Sequence, residues 1–462
     1  MSITGHQNWK NTRDIVGWVN LRDANEETYR SLGFMCGLEV HQQLLTRKKL
    51  FCRCRSGIYH DFAVYDAELI RHMRPTLSEL GEYDGTALME FKTRKNIIYR
   101  IKNDTACTYE MDDTPPFPIN REALENAMQI ALLLKMNIVG ELHITRKQYL
   151  DGSIPTGFQR TTILGIEGEI PLPQKKIRII QFSVEEDSCR EVSDIRHTRI
   201  YYTDRLGMPL CEVVTYPDML TPNEAAEAGY YIRYLTRSSG KVRSGIGAAR
   251  QDVNVSITGG TRVEIKGVAH ICWIPALTHT EAFRQKALLT IKAELAHRGL
   301  KAGTWQPLSK ELPADDWKHI PLLQTLLKEG WKPVGINLPG FAGILSWFTQ
   351  PGKCFADEIS DRLKVIACLE KPNMYHCEDL QPQLSETDLA RLKINLCASR
   401  EDAQIFFWTP PEDMQTAIET IFERCKMAFE GVPNETRKSF PDGTSIFERV
   451  LPGADRMYPD TD

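Results

Sequence analysis

Glu39 and His41 stand two residues apart in the run Cys36-Gly37-Leu38-Glu39-Val40-His41-Gln42-Gln43-Leu44-Leu45. In an extended strand successive side chains alternate faces, so the carboxylate and the imidazole point one way while Leu38 and Val40 point the other. Such a pair on an apolar-backed strand suits a divalent cation or acid/base chemistry. The same device recurs downstream. In Lys176–Asp187, Phe182, Val184 and Glu186 share one face, with Gln181, Ser183, Glu185 and Asp187 on the other. Glu186 therefore ends an apolar row, where a carboxylate needs a cation or a donor. Asp252, Asn254 and Ser256 share a face backed by Val253, Val255 and Ile257, and Glu264 pairs with Lys266 in the same way. Any antiparallel sheet with one solvated face alternates like this. Short Asp, Asn and Glu are poor strand formers, however, and their recurrence at i and i+2 predicts one sheet whose concave side is a polar site.

Around these strands the pattern predicts three helices in the first two-thirds of the chain. One is capped by Asn120 and runs through Ala123, Leu124, Ala127, Met128, Ala131 and Leu132. A second opens at Thr221-Pro222-Asn223-Glu224, a capping box with proline at the first helical position, and stops near Gly240. A third runs from about Leu277 to His297. Beyond residue 312 the texture changes to helix, strand, helix, then the apolar strand Gln404-Ile405-Phe406-Phe407-Trp408, with Pro410-Pro411 leading into a helix around Met414–Phe429.

Length and composition set bounds. A chain of 462 residues exceeds a single small core and predicts two or three domains. The net charge of -4, with 26% charged residues, announces no basic surface for nucleic acid across the whole chain. Twelve irregularly spaced cysteines without a signal peptide fit reduced thiols, and no apolar run reaches the roughly 18 residues of a membrane helix. The expectation is a soluble cytoplasmic protein.

Two motif tests go against common cofactor sites. Cys52-x-Cys54 would supply half of a zinc site, but no second close-spaced Cys or His pair follows, and His60 and Cys107 are single residues. Two ordinary thiols are expected. Gly240-Lys241-Val242 lacks the glycine spacing of a P-loop, and Gly245-Ile246-Gly247 lacks the third glycine of a dinucleotide fingerprint.

Several blocks, in order, resemble the E subunit of archaeal glutamyl-tRNA(Gln) amidotransferase and, more distantly, the bacterial B subunit. They are Gly37–Leu44, Arg146-Lys147-Gln148, Thr156–Thr161, Glu185-Glu186-Asp187, Asp204–Leu210, Gly245–Ser256, Val263–Val268 and Arg456-Met457-Tyr458-Pro459. Asn337-Leu338-Pro339-Gly340-Phe341-Ala342-Gly343, Gly431–Arg437 and Pro441–Thr444 resemble the insertion domain shared with bacterial aspartyl-tRNA synthetases. Residues 1–30, polar and outside the resemblance, read as a leader, a helical lead-in. The resemblance implies an α+β fold: a cradle-like catalytic domain on a mainly antiparallel sheet over 31–311 and 436–462, and a smaller α/β domain inserted over 312–435. It implies ATP-dependent phosphorylation of the glutamyl carboxylate of glutamyl-tRNA(Gln), then displacement of phosphate by ammonia, with Mg²⁺ neutralising phosphate charge. Ammonia would come from an asparaginase-like D subunit, in a hetero-oligomer or homodimer, with tRNA(Gln) as the other partner. Carried over by position, Glu39, His41 and Glu186 would hold the metal. Glu39, His41, Lys147, Glu186 and Asp252 would form the catalytic set. Ser153, Gln159, Arg250, Asn254, Glu264 and Lys266 would bind substrate or nucleotide.

The chain departs from the family at Ile154-Pro155, where an amide and a hydroxyl are usual, which implies lost donors beside the substrate. It also ends at Asp462, where the family continues into helical and tail domains. Weak tRNA binding by these residues alone is the expectation. Three readings follow: the E-type catalytic subunit, a tailless paralogue using the same chemistry on another acid or peptide, and an inactive scaffold. The retained Glu39, His41, Lys147, Glu186 and Asp252 speak against the scaffold.

Overall fold

The strand expected around Glu39 and His41 runs Met35–Gln43 (β1) and lies inside an eleven-stranded sheet in the computed structural model, which describes residues 4–77, 81–451, 453 and 456–460. The first three residues of the expected leader and Thr461 and Asp462 of the expected catalytic body fall outside these. In chain order the sheet continues with Ile144–Gln148 (β2), Phe158–Pro171 (β3), Lys176–Glu186 (β4) and Pro209–Thr215 (β5). Then come Ala249–Ser256 (β6), Val263–Val268 (β7), Glu435–Ser439 (β8), Ser445–Val450 (β9) and Met457–Pro459 (β10). Their spatial order is β9-β8-β7-β6-β1-β5-β4-β3-β2-β10, and Asn137–Ile138 pairs beside β3. Every pairing is antiparallel except β7 with β8. All four strands singled out by their polar spacing belong to this one sheet. β5 separates β1 from β4.

Alternation then fixes two faces. Leu38, Val40, Phe182, Val184, Val213, Val253, Val255 and Ile265 point into one core, covered by three helices. These are Arg121–Leu133 (α1), Pro222–Ser238 (α2) and Ile274–His297 (α3), which contribute Ala127, Ile130, Ala228, Ile232, Leu277 and Phe283. The caps behave as the residues require. Asn120 accepts from the Ala123 N–H, and Thr221 Oγ1 accepts from the Glu224 N–H at 3.2 Å. Glu224 turns back one residue further than a capping box demands, accepting from the Leu220 N–H at 2.6 Å.

The later part of the chain builds a separate four-stranded antiparallel sheet from Leu308–Glu311, Lys332–Leu338, Ala403–Thr409 and Met374–His376. Helices Phe355–Ile366 (α4) and Met414–Met427 (α5) flank it. Its core is continuous with the main body, because Val263, Leu288, Ile291 and Leu295 pack among Val334, Ile336, Phe355 and Ile421. The fold is α+β around a large, mainly antiparallel sheet. The leader is more than a lead-in. In helix Gly5–Val16, Asn8 donates to the Gly343 carbonyl at 2.8 Å and Trp9 Nε1 to the Lys353 carbonyl at 2.8 Å, while Trp18 beyond it meets Phe283 edge-on. No helix among the described residues is long and apolar enough to cross a membrane.

A charge network joins the two sheets. Arg284 on α3 is fully buried and forks onto Glu358 of α4 at 2.8 and 2.7 Å, while also bonding Glu281 at 3.0 Å and Glu435 of β8. Arg437 and Arg362 hold Glu435 at 2.6 Å each. Removing one partner of a buried network strands charge, at about 3–5 kcal/mol. Arg284→Met is therefore expected to lower stability by about that amount, read as a shifted denaturation midpoint with little change in slope. A second joint titrates. His197 donates from Nδ1 to the Thr93 carbonyl and pairs through Nε2 with Asp413, just before α5, at 2.9 Å. The Asp413 bond, then Cys368, raises the imidazole from 6.5 to about 10. The pairing therefore contributes fully below pH 6.5 and is lost as pH rises through about 10. Hydrogen exchange at the Asp413 end of α5 should accelerate between pH 8 and 10, after correction for intrinsic rates, in the parent and not in His197→Gln.

Candidate functional site

The face opposite the helices gathers the polar residues of seven strands. Register places His41 of β1 across from Glu212 of β5 on one side and Arg250 of β6 on the other, and Glu39 across from Asp252. Asn254 stands opposite Glu264, and Lys147 of β2 opposite Gln159 of β3. Two clusters result. His41, Glu185 and Glu212 bring ligand atoms within 4.8 Å of one another, and so do Glu39, Asp252 and Glu264. Each has its own lysine. Lys147 Nζ lies 3.1 Å from Glu185 and 3.9 Å from Glu212, and Lys266 Nζ lies 2.9 Å from Asp252 and 2.6 Å from Glu264. Local backbone sets the second pair. Gly267 has φ +65°, open to glycine at little cost, and the pairing of β6 with β7 shifts register there. The bulge brings the Gly267 N–H onto Asp252 Oδ1 at 2.8 Å while Lys266 bonds Oδ2.

The electrostatics follow from burial. Glu39 is pushed up to about 7 by desolvation and then by Glu264 and Glu212. Burial works against Glu212 as well, yet Lys147 and the bond from His41 hold it down to about 2. Desolvation opposes the charge on His41, but Glu212, 3.2 Å from Nε2, raises it on balance. Burial likewise opposes Asp252, which Lys266 and His41 hold below its ordinary value. Five carboxylates thus face three cations, Lys147, Lys266 and Arg250. The His41 Nδ1 and the Asn254 Oδ1 are buried without partners. Oxygen-rich donors with surplus negative charge fit a hard divalent ion such as Mg²⁺.

Most expected residues meet here, but the Glu186 that the resemblance implied as a partner of Glu39 and His41 does not. Glu186 sits on the opposite face of β4, where its carboxylate accepts from Tyr109 Oη at 2.7 Å and from the Arg160 N–H at 3.1 Å. Its need is met by these donors, with the Arg160 guanidinium close by on the Tyr109 hydroxyl. The neighbour Glu185 stands with His41, 3.6 Å away. Glu212 was missed: the carboxylate inside Leu210-Cys211-Glu212-Val213-Val214 has no polar partner two residues away. Gln159 donates to the Glu186 carbonyl at 2.6 Å, and Ser153 folds its hydroxyl onto Asp151 at 2.7 Å, so both spend donors on the scaffold. Arg250 is held by Asp187 at 3.3 Å. Ile154 is buried with Ile97, Tyr99, Tyr201 and Leu206, so the departure at this position fills a core and removes nothing from this face.

Strand order thus brings the polar face and its paired acidic clusters to the middle of one sheet. The chain's residues 34–462 match the family model described as the GatB/GatE catalytic domain, and the chain belongs to that family. It is 40% identical over 438 residues to the E subunit of the glutamyl-tRNA(Gln) amidotransferase of Methanocaldococcus jannaschii, covering 95% of this chain and 69% of that one. The E subunit of the same enzyme from Saccharolobus solfataricus is 40% identical over 451 residues, with the same coverages, and that from Methanococcus vannielii 38% over 435.

The exchange of Glu186 for Glu185 is directly testable. Glu185→Gln and Glu212→Gln should each weaken Mn²⁺ binding at least ~10-fold, followed by electron paramagnetic resonance. Glu186→Ala should leave that affinity unchanged and instead cost about 1–3 kcal/mol of stability through the stranded Tyr109 and Arg160 donors. The reverse pattern would put the metal on the other face.

Proposed function

We propose that this chain is the ATP-dependent catalytic subunit of a glutamyl-tRNA(Gln) amidotransferase, a carbon–nitrogen ligase. It transfers phosphate from ATP to the glutamyl side-chain carboxylate and lets ammonia displace that phosphate, giving glutaminyl-tRNA(Gln). The observation that carries the reading is the pair of acidic clusters with their lysines on one face of the sheet, in a chain of the GatB/GatE catalytic family. A carboxylate resists attack by ammonia until one oxygen becomes a leaving group, so the enzyme must bring several anions together. His41, Glu185 and Glu212, with Glu39, Asp252 and Glu264 beside them, would hold Mg²⁺. Bound there, Mg²⁺ supplies neutralisation of nucleotide phosphate and of charge developing in transfer.

The chain's own groups do the rest. Lys147 and Lys266, both kept charged by buried carboxylates, bind and orient anionic oxygens of ATP and the glutamyl group. Arg250, steadied by Asp187, extends that positive edge. Glu39, whose charge burial among carboxylates disfavours, would be returned to the carboxylate form by the bound cation. The nucleophile would come from an asparaginase-like ammonia-supplying subunit in a cytoplasmic hetero-oligomer. The residues 312–435 would serve as an insertion domain of the kind in bacterial aspartyl-tRNA synthetases.

With ammonium chloride as nitrogen source, ATP hydrolysis should depend on glutamyl-tRNA(Gln) and be matched by glutaminyl-tRNA(Gln) formation. Lys147→Met should lower the rate at least ~100-fold, on the scale of losing one transition-state partner. Phosphate release indifferent to charged tRNA, with no glutamine formed, would refute the reading.

A further inference from the structure

Two adjacent threonines on β3 carry the same unspent group. Thr161 is 4% exposed and Thr162 1%, and the hydroxyl of each is buried without a partner among the described residues. A buried hydroxyl that bonds nothing is costly and uncommon. Alternation sends the two to opposite sides of the sheet. Thr162 pairs with Val184, which lies in the core under the helices. Thr161 pairs with Glu185, and Gln159, two residues before it, pairs with Lys147. Directly paired residues present their side chains to one face, with Cβ atoms about 4.5–5.5 Å apart. Thr161 therefore stands on the acidic face. Lys147, from β2, crosses β3 to meet Glu185 at 3.1 Å, which brings its ammonium over the strand that carries Thr161.

Uncommitted donors are what this face lacks. Its carboxylates offer acceptors in excess, while its cations are taken: Lys147 by Glu185, Lys266 by Asp252 and Glu264, Arg250 by Asp187. Gln159 donates to the Glu186 carbonyl. Thr145, the neighbour of Thr161 on β2, turns its hydroxyl to the Thr161 carbonyl at 3.4 Å, not to its side chain. Thr161 does not spend its proton on the Glu185 carboxylate opposite it either, although a carboxylate accepts readily. That proton is left for an anion drawn to Lys147.

We propose that the Thr161 hydroxyl donates to an anionic oxygen of the ATP phosphate that Lys147 receives, and so is a binding residue of the reaction. This rests on the reading of the face as an ATP-dependent amide-forming site. An ammonium supplies charge with little direction, whereas a hydroxyl on a buried strand supplies a directed bond. A hydrogen bond to a charged oxygen is also shorter and stronger than one between neutral groups. Thr161 keeps its proton throughout, and no covalent bond to it forms or breaks.

The unpaired state gives the idea an unusual sign. In the free chain the hydroxyl is a penalty, relieved when the anion binds. Removing it should leave the free chain as stable or more stable while ligand binding weakens. A hydroxyl kept for structure would behave in the opposite way. Thr162 serves as the control, being equally buried and unpaired on the face that meets no ligand.

The test pairs Thr161→Val with Thr162→Val in the full chain, since valine keeps the branched shape and lacks the hydroxyl. Without ligand both should melt at or above the parental midpoint. Binding is followed by isothermal titration calorimetry with Mg²⁺ and AMP-PNP, a non-hydrolysable ATP analogue. Thr161→Val should bind it about 10–100-fold more weakly, and Thr162→Val should match the parent. Thr161→Ser, which restores the donor, should return to within ~3-fold of the parent. Mn²⁺ affinity without nucleotide should be unaltered in Thr161→Val. A lowered melting midpoint in Thr161→Val would make the hydroxyl structural, and a loss of Mn²⁺ affinity would make it a metal ligand; either overturns the inference. So would unchanged AMP-PNP affinity with a raised KM for glutamyl-tRNA(Gln), which would place the hydroxyl on the glutamyl carboxylate. A parent chain that binds no Mg²⁺·AMP-PNP sinks the functional reading itself, whereas parental binding that Thr161→Val leaves intact sinks this inference alone.

Discussion

Mutual repulsion of buried carboxylates is the constraint around which the sheet is arranged. Glu39, Glu185, Glu212, Asp252 and Glu264 come from five strands yet face a common space. In a low-dielectric setting such a group cannot stay ionised without cations supplied at matching positions. Lys147 and Lys266 supply them from opposite flanks, on β2 and β7, so the acidic centre is compensated from both sides. The compensation is incomplete, and the two ends differ in consequence. Glu212, bonded to His41 and near Lys147, is held strongly acidic, while Glu39, which accepts from the neutral amide of Asn254, is pushed toward neutrality by burial and by Glu264. A face left short of cations in this way suits a bound metal, because added cations complete a balance the protein leaves open.

Holding the acidic face also depends on a second set of charges far from it. β8 is the one parallel neighbour in the sheet, and it pairs with β7 through Thr436 opposite Glu264 and Lys438 opposite Lys266. Between them Arg437 turns inward to Glu435, Glu358 and Ser445. Parallel pairing provides no hairpin to fix its register. The buried arginine network does so instead, tying β8 to α3 and α4. The strand that carries Glu264 and Lys266 is thereby set by ion pairs belonging to the later part of the chain.

Much of this was legible in the sequence, for a physical reason: alternation is strict in strands, and acidic residues within them are rare. Glu39, His41, Asp252, Asn254, Glu264 and Lys266 were found that way, and the caps at Asn120 and Thr221 located two helices. Glu186 was chosen over Glu185 on the resemblance, although alternation had already put Glu186 on the apolar face and Glu185 on the polar one; the register with β5 turns that polar face toward His41. Glu212 escaped because its strand shows a single carboxylate, so no i and i+2 pair marks it. The departure at Ile154 misled for a related reason. Its place beside the substrate loop in sequence says nothing of the small sheet formed by Asn96–Ile101 and Thr198–Tyr202 into which it packs.

Adjacent residues on opposite faces of one strand can link features that sequence keeps apart. Glu185 belongs to the acidic face and Glu186 to the reverse side, where Tyr109 and Arg160 fix it. A tilt of β4 that improved one carboxylate's contacts would strain the other's, since the backbone between them is common. The donors on the reverse side therefore act as a stop on the acidic face, and Gln159, spanning from β3 to the Glu186 carbonyl, reinforces it. Tyr109 is in turn only as well placed as the loop that bears it. Glu110 of that loop lies beside Gly207, where a Cβ would come within 3.1 Å of its Oε1, so the turn entering β5 is packed against the same region. Both strands that present Glu185 and Glu212 to His41 are thus buttressed from behind by one small region, and the precision of the acidic face is inherited from it.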